Sequence, residues 1–112
     1  MNIKSEKLSL GKWGKFSLAE QMANIGSEVG RTIRWKEKKN HQYSKMAFIR
    51  ALELLDLTIN CRKNKKRLKE LTRVREALVD YFEGENKFSS SDELWQKYFF
   101  AFNYSARYLK NY

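Results

Sequence analysis

SLAEQMANIGSEVGRTIRWKEKK, residues 17–39, has the periodicity of one amphipathic helix. Ser17 and Glu20 have the spacing of a capping box, in which each side chain satisfies a backbone amide that the first turn leaves unpaired. Apolar residues then recur at spacings of three and four, at Leu18, Met22, Ile25, Val29 and Ile33. This pattern predicts a helix over residues 18–39, with Asn40 as its C-cap.

Two glycines lie beside that apolar stripe, at Gly26 and Gly30. A glycine inside a helix costs about 1 kcal/mol relative to alanine. Close approach of a second helix would offset this cost, because a residue without a Cβ lets two backbones come together. We therefore expect a neighbouring helix to cross the first one near these positions.

Three further helices are predicted downstream, over residues 42–60, 65–83 and 92–110. The helix over 42–60 is apolar around most of its circumference, so we expect it to be the most buried of the set. Asn64 is a candidate N-cap for the third helix and Gly84 a candidate stop. The sequence SSDE, residues 90–93, repeats the capping signature before the fourth.

The predicted fold class is all-α, an antiparallel four-helix bundle over residues 17–112 that follows a basic N-terminal arm, residues 1–16. Trp13 and Phe16 are expected to pin the end of this arm to the bundle. The chain has 112 residues, 42% of them hydrophobic, which suits one domain with a core. It contains no signal-peptide pattern and no apolar run of membrane-spanning length. The single cysteine, Cys61, excludes an internal disulfide, so we expect a soluble, cytoplasmic protein without a membrane partner.

The most informative feature for function is the charge, a net +10 with a pI near 9.8. Residues 62–69, which we call the basic segment, contain six cations and no acid: Arg62, Lys63, Lys65, Lys66, Arg67 and Lys69. They lie where the third helix is predicted to begin, and exposed cations are unfavourable there by about 0.3–1 kcal/mol each. We therefore predict an anionic partner, nucleic acid bound through its phosphates. A solvated turn is the alternative.

A second basic group lies at the end of the first predicted helix: Arg31, Arg34, Lys38 and Lys39. Cations stabilise a helix C-terminus, so this group has a structural explanation as well. It is expected to extend the phosphate contacts. In an up-and-down bundle the two basic regions fall at opposite ends, and an oligomer could join them into one track.

Three rings at four-residue spacing form what we call the aromatic row: Phe100, Tyr104 and Tyr108. They fall outside the apolar stripe of the fourth helix. Exposed aromatics on one helix face usually mark an interface. We expect the row to contact a protein partner or a second copy, so that the protein is not a monomer. An edge of the core and stacking on bases are the alternatives.

Few residues of this chain are candidates for a catalytic role. Arg34 and His41 have the R-x6-H spacing, which resembles the arginine and histidine of HEPN ribonucleases. In that family the pair begins a late helix, whereas here it spans the end of the first helix and a turn. A solvated turn histidine is the preferred interpretation of His41. We predict no enzymatic activity, no catalytic residue and no cofactor.

A carboxylate metal site is also not expected. Four acidic residues, Glu53, Asp56, Glu76 and Asp80, occur on the second and third predicted helices. A di-iron bundle needs E-x-x-H pairs as well, and the one histidine lies outside these helices. We instead expect salt bridges. Asp56 lies in an apolar run and should pair with an arginine, Arg50, Arg73 or Arg75.

The segments FSLAEQMANIGSEVGR, ALELLDLTI and REALVDYFEG resemble an uncharacterised family of short bacterial and archaeal helical proteins. This resemblance spans most of residues 8–108 and implies no known activity. In size, basicity and helical layout the chain is also similar to the accessory variability proteins of diversity-generating retroelements. That similarity implies a basic bundle that oligomerises and binds a reverse transcriptase and its RNA.

These observations favour a non-enzymatic basic accessory protein that binds nucleic acid, RNA or DNA, in an oligomer or a larger nucleoprotein complex. The alternative is a protein–protein adaptor that assembles through the aromatic row. A HEPN-like ribonuclease is the third hypothesis.

Overall fold

The fold is all-α over residues 10–108, which are the residues that the computed structural model describes. Its α-helices are α1 (Leu10–Trp13), α2 (Leu18–Glu37), α3 (His41–Ile59), α4 (Leu68–Glu83) and α5 (Asp92–Tyr108), and a 3₁₀ helix, Arg62–Arg67, precedes α4. No strand occurs in this range. The all-α prediction is thus confirmed for the described chain. The first part of the predicted arm, residues 1–9, and the predicted extension of α5 to residue 110 lie outside it.

The start of α2 follows the capping-box prediction. The Ser17 amide donates to Glu20 Oε1 at 2.8 Å, and the Glu20 amide donates to Ser17 Oγ at 3.1 Å. The predicted stripe then enters the core, where its four central residues are at most 1% exposed: Met22, Ile25, Val29 and Ile33. This local pairing and burial explain why the chain becomes helical at residue 18.

The end of α2 differs from the prediction. The helix ends at Glu37, Lys39 adopts a left-handed φ of 62°, and Asn40 caps the next helix instead of this one. The Asn40 side-chain oxygen accepts the Tyr43 amide at 3.0 Å. An asparagine can serve at either helix end. Because the turn between α2 and α3 is short, Asn40 lies close to the unpaired backbone amides at the start of α3 and caps that helix. His41 is consequently the first residue of α3, so the prediction that it lies in a turn was wrong.

Gly26 is the point at which α5 comes closest to α2. A Cβ built on Gly26 would lie 2.6 Å from the Phe99 Cβ, well inside van der Waals contact. The expected close approach of a neighbouring helix is therefore confirmed at this residue. At Gly30 the nearest atom to such a Cβ is a guanidinium nitrogen of Arg34, at 3.4 Å, so tight packing does not require a glycine there.

Two sets of polar contacts show which helix ends lie together. At the start of α2, the Gln21 side chain accepts a hydrogen bond from Asn64 in the 3₁₀ helix, at 3.0 Å. At the end of α2, Lys36 Nζ donates to Asp92 at the start of α5, at 3.0 Å, and to the Tyr81 hydroxyl near the end of α4, at 3.4 Å. Burial would lower the pKa of Lys36, but its bonds to Asp92 and Tyr81 raise it above the ordinary value.

α3 has six buried residues, as many as α2 and more than α4 or α5, but it is not buried around its whole circumference. Phe48, Ala51 and Leu55 lie in the core at 2% exposure or less. Tyr43, Met46 and Ile49, however, are 47%, 56% and 46% exposed. None of the helices between residues 10 and 108 is long and apolar enough to cross a membrane.

Candidate nucleic-acid interface

The basic segment forms a tight 3₁₀ turn, and the prediction that an α-helix starts at residue 65 was wrong. Arg62–Arg67 is 3₁₀ and α4 begins at Leu68. The predicted N-cap, Asn64, is 3% exposed, and its side-chain nitrogen donates to Gln21 Oε1 at 3.0 Å and to the Thr58 carbonyl at 2.9 Å. Because these inward bonds occupy that nitrogen, Asn64 anchors the turn to the core. Arg67 takes the N-cap position of α4 without a side-chain capping bond.

A network of buried polar side chains anchors the 3₁₀ turn to the core. Trp13 Nε1 donates to Thr58 Oγ1 at 2.8 Å, and Gln21 Nε2 donates to the Trp13 carbonyl at 2.9 Å. With Asn64, these residues are at most 3% exposed. A buried network in which the members satisfy each other rigidifies its surroundings. It therefore ties α1, α2, α3 and the basic segment together, and it supports the expectation that Trp13 pins the chain before α2.

Lys63 points back toward the protein. Its Nζ donates to the Gly14 carbonyl at 2.8 Å and also to the Phe16 carbonyl. These carbonyls belong to the link between α1 and α2. In this structure Lys63 therefore acts as a clamp between that link and the basic segment, and a phosphate would have to compete with the two carbonyls for it.

Arg67 is also paired. Its guanidinium contacts Glu70 Oε1 at 2.7 Å, and the Tyr98 hydroxyl of α5 donates to Glu70 Oε2 at 2.8 Å. Burial would raise the pKa of Glu70, but the bonds from Arg67 and Tyr98 outweigh it and lower that pKa below its ordinary value. Burial and the bond to Glu70 raise the pKa of the Tyr98 phenol. Glu70 thus stays ionised at neutral pH and links the basic segment to α5.

The side chains of four cations of the basic segment make no hydrogen bond or ion pair with any other residue in 10–108. They are Arg62, Lys65, Lys66 and Lys69, and all four are exposed. Arg73, one turn further along α4, joins Lys66, Arg67, Lys69 and the carboxylate Glu70 around a shallow cleft of about 390 Å³. Arg73 is not among the site residues that the sequence predicts. The spacing of Lys66, Lys69 and Arg73, three and then four residues, is the signal that could have found it.

The second basic group lies at the other end of α2. Arg31 pairs with Glu28 at 3.1 Å, and Lys38 Nζ lies 5.4 Å from the centre of the Trp35 ring. Arg34, Lys38 and Lys39 are exposed. Arg34 and Lys38 lie 13 and 17 residues beyond Gln21, which contacts the basic segment, so at 1.5 Å per residue the two regions are about 22 Å apart along the helix. Arg31 is nearer, at about 15 Å. The structure does not bring them into one compact patch.

Arg34 and His41 have different surroundings. The Arg34 guanidinium extends back beside Gly30, which lines the cleft between α2 and α5. His41 lines a separate cavity of about 200 Å³ with Lys36, Ser44 and Glu83 among its walls. The R-x6-H spacing therefore does not place these two side chains around one cleft.

The aromatic row is exposed on α5. Phe100, Tyr104 and Tyr108 are 63%, 50% and 63% exposed, and the Tyr104 and Tyr108 rings lie 5.0 Å apart between centres. Trp95 and Phe99 of the same helix are buried. The row is thus a second face of α5, separate from the face that packs on the core.

Asp56 pairs with an arginine as expected, whereas Asp80 accepts the Lys87 and Phe88 amides at 2.8 and 3.0 Å. Arg75 holds Asp56 through two bonds, Nε to Oδ1 at 2.7 Å and a terminal nitrogen to Oδ2 at 3.2 Å. The hydrogen bond to Asp56 raises the pKa of Arg75. Within residues 10–108, no group of three His, Cys, Asp or Glu side chains is arranged to hold a metal ion.

Comparison of the chain with protein-family models, with curated protein sequences and with solved structures gives no match.

Proposed function

We propose that this protein is a non-enzymatic accessory protein that binds nucleic acid through its backbone phosphates. The observation that carries the proposal is the group of four exposed cations without a described protein partner, Arg62, Lys65, Lys66 and Lys69. They project from the 3₁₀ turn and the first turn of α4, and a buried polar network anchors that turn, so the backbone that carries the cations is positioned before a ligand arrives. A backbone that is already positioned loses less freedom on binding, which favours affinity.

A structural explanation for these charges is weak. In the basic segment and the first turn of α4, the one acidic residue is Glu70, and Arg67 with Tyr98 already occupies it. A polyanion would neutralise several cations at once and release its own counterions. Phosphate contacts of this kind position a strand without reading its sequence, so we propose binding of DNA or RNA without base specificity at this site.

We further propose that the four long helices form an antiparallel bundle and that the protein works in an oligomer or a larger nucleoprotein complex. The contacts at the two ends of α2 support the antiparallel arrangement, since Gln21 meets Asn64 and Lys36 meets both Tyr81 and Asp92. The separation of the basic segment from the second basic group supports assembly, because several copies could align them into one track. The same role is what the resemblance to accessory variability proteins implies.

The test is a salt titration of binding with labelled DNA and RNA. Each phosphate contact contributes about −0.7 to −0.9 to the slope of log affinity against log salt. Lys65→Glu with Lys66→Glu should flatten the slope by more than one contact and leave the fold intact, since both side chains are exposed. Lys45→Glu with Lys87→Glu is the control with the same change of net charge. Equal effects of the two double variants would mean that net charge alone matters and would contradict the proposal.

A second candidate function is a protein–protein adaptor, which the exposed aromatic row favours. Rings that are 50–63% exposed on one helix face are typical of a surface that a partner covers. In this role the charge serves solubility, and binding of nucleic acid would be absent in the titration.

A further inference from the structure

The second half of the aromatic row, Tyr104 and Tyr108, lies at the end of the molecule that holds the basic segment. Asn103 and Ala106 of α5 line a shallow cleft together with Phe16 and Glu20, so the second half of α5 lies beside the start of α2. Phe16 is the residue whose carbonyl Lys63 holds. Tyr98 reaches Glu70 directly, at 2.8 Å. α5 therefore runs beside the basic segment. Tyr98 and Phe100 point to different sides of α5, about 200° apart at 3.6 residues per turn, so a strand on the row would pass around α5 to reach the basic segment.

The charge around the row favours an anionic occupant. Lys97 lies three residues before Phe100 and Arg107 three residues after Tyr104, a spacing that puts each cation next to a ring on the helix surface. Both side chains are exposed and make no hydrogen bond or ion pair with another residue of the described chain. A second copy of the protein would bring a surface of the same sign against them, in a chain that already has a net charge of +10.

The shape of the row fits unpaired bases. Rings four residues apart on a helix are about 6 Å apart along its axis, so the row presents successive aromatic surfaces in a line. Bases of a single strand can stack on such rings, whereas bases inside a duplex are paired and stacked on each other. A positively charged groove combined with aromatic platforms is the arrangement by which proteins bind single strands without sequence preference.

We propose that the aromatic row is a stacking surface for single-stranded nucleic acid, whose phosphates lie on Lys65, Lys66, Lys69 and Arg73 while its bases contact Phe100, Tyr104 and Tyr108. Lys97 and Arg107 would hold the phosphates that flank the stacked bases. This inference rests on the proposed function and narrows its ligand to strands with unpaired bases.

The experiment compares one single-stranded oligonucleotide with a duplex of the same length, by fluorescence anisotropy at matched salt. The test variant is Phe100→Ala/Tyr104→Ala/Tyr108→Ala, and the matched control is Tyr104→Phe/Tyr108→Phe, which keeps the rings. We expect the alanine variant to lose single-strand affinity by about fivefold or more for each ring that stacks. Its duplex affinity and its salt slope should stay near those of the parent, and the phenylalanine variant should bind as the parent does.

Several outcomes would overturn the inference. If the alanine variant binds single strand and duplex as the parent does, the row is not a stacking surface, although phosphate binding stands. If neither ligand binds the parent, the proposed function fails as well. If the alanine variant converts an oligomer into a monomer in light scattering, the row is an interface between copies. Circular dichroism and a thermal melt of each variant separate these results from a loss of fold.

Discussion

At the residue scale, Gly26 controls how closely α5 approaches α2. Gly26→Ala would place a methyl group 2.6 Å from the Phe99 Cβ, and neither backbone can move without disturbing the core around Phe99. We expect a loss of about 1–3 kcal/mol in the free energy of unfolding, the range for overpacking. Urea denaturation followed by circular dichroism measures it.

Gly30→Ala is the matched control in the same helix. The nearest atom to a new Cβ there is the mobile end of Arg34, at 3.4 Å, so we expect no loss and a gain of up to about 1 kcal/mol from helix propensity. Equal losses in the two variants would show that α2 needs both glycines for a reason other than the Phe99 contact.

Glu70 contributes to stability in a way that depends on pH. Its pKa in the folded protein is lowered below the ordinary 4.5, so it stabilises the fold above pH 4.5 and that contribution disappears as the pH falls through the lowered value. We expect Glu70→Gln to be less stable than the parent at neutral pH and to lose less stability on acidification. Glu76→Gln, at an exposed position of the same helix, is the control. Identical acid limbs for parent and Glu70→Gln in urea titrations would refute this.

At the scale of elements, the basic segment divides into anchors and free cations. Lys63→Met removes the clamp on the Gly14 and Phe16 carbonyls, so amide exchange at residues 14–17 should become faster. Lys65→Met should leave that exchange unchanged, because the Lys65 side chain bonds no other residue in the described range. It should lower the magnitude of the salt slope by about 0.7–0.9. Hydrogen exchange with mass spectrometry and the anisotropy assay measure the two effects. A change of slope without faster exchange in Lys63→Met would make Lys63 a phosphate ligand instead.

The features that depend on residues close together in the chain could be predicted from the sequence. The Ser17–Glu20 capping box and the periodic stripe of α2 depend on residues within a few positions of each other, so sequence alone gives both. Asn40 and Asn64 were misassigned because an asparagine can cap a helix end or bond elsewhere, and the choice depends on distant partners. Asn64 bonds Gln21, 43 positions away in the chain. The bonds of Lys63 to the Gly14 and Phe16 carbonyls and the Tyr98–Glu70 bond could not be predicted either, since no local sequence pattern indicates a contact between distant segments.

For the whole molecule, the separation of about 22 Å between the two basic regions has a quantitative consequence. Sites that far apart without shared partners contribute independently. We expect the change in binding free energy of Lys65→Glu/Lys66→Glu and that of Arg34→Glu/Lys38→Glu to add in the combined variant. The measurement is a double-mutant cycle by anisotropy at one salt concentration. A coupling well above about 0.5 kcal/mol would mean that both regions contact the same stretch of ligand.

Because Cys61 is buried, the rate at which its thiol reacts reports on the opening of this end of the protein. This residue precedes the basic segment, is 6% exposed, and its sulfur accepts a bond from Gln21 at 3.5 Å. It is also the one cysteine of the sequence, so a thiol reagent has a single target. Covalent labelling of the thiol requires local opening of this end of the molecule. The labelling rate in the native protein therefore measures how often the region with the proposed phosphate-binding cations opens. A ligand seated there should slow the labelling in proportion to its occupancy, without any dye or tag on either molecule.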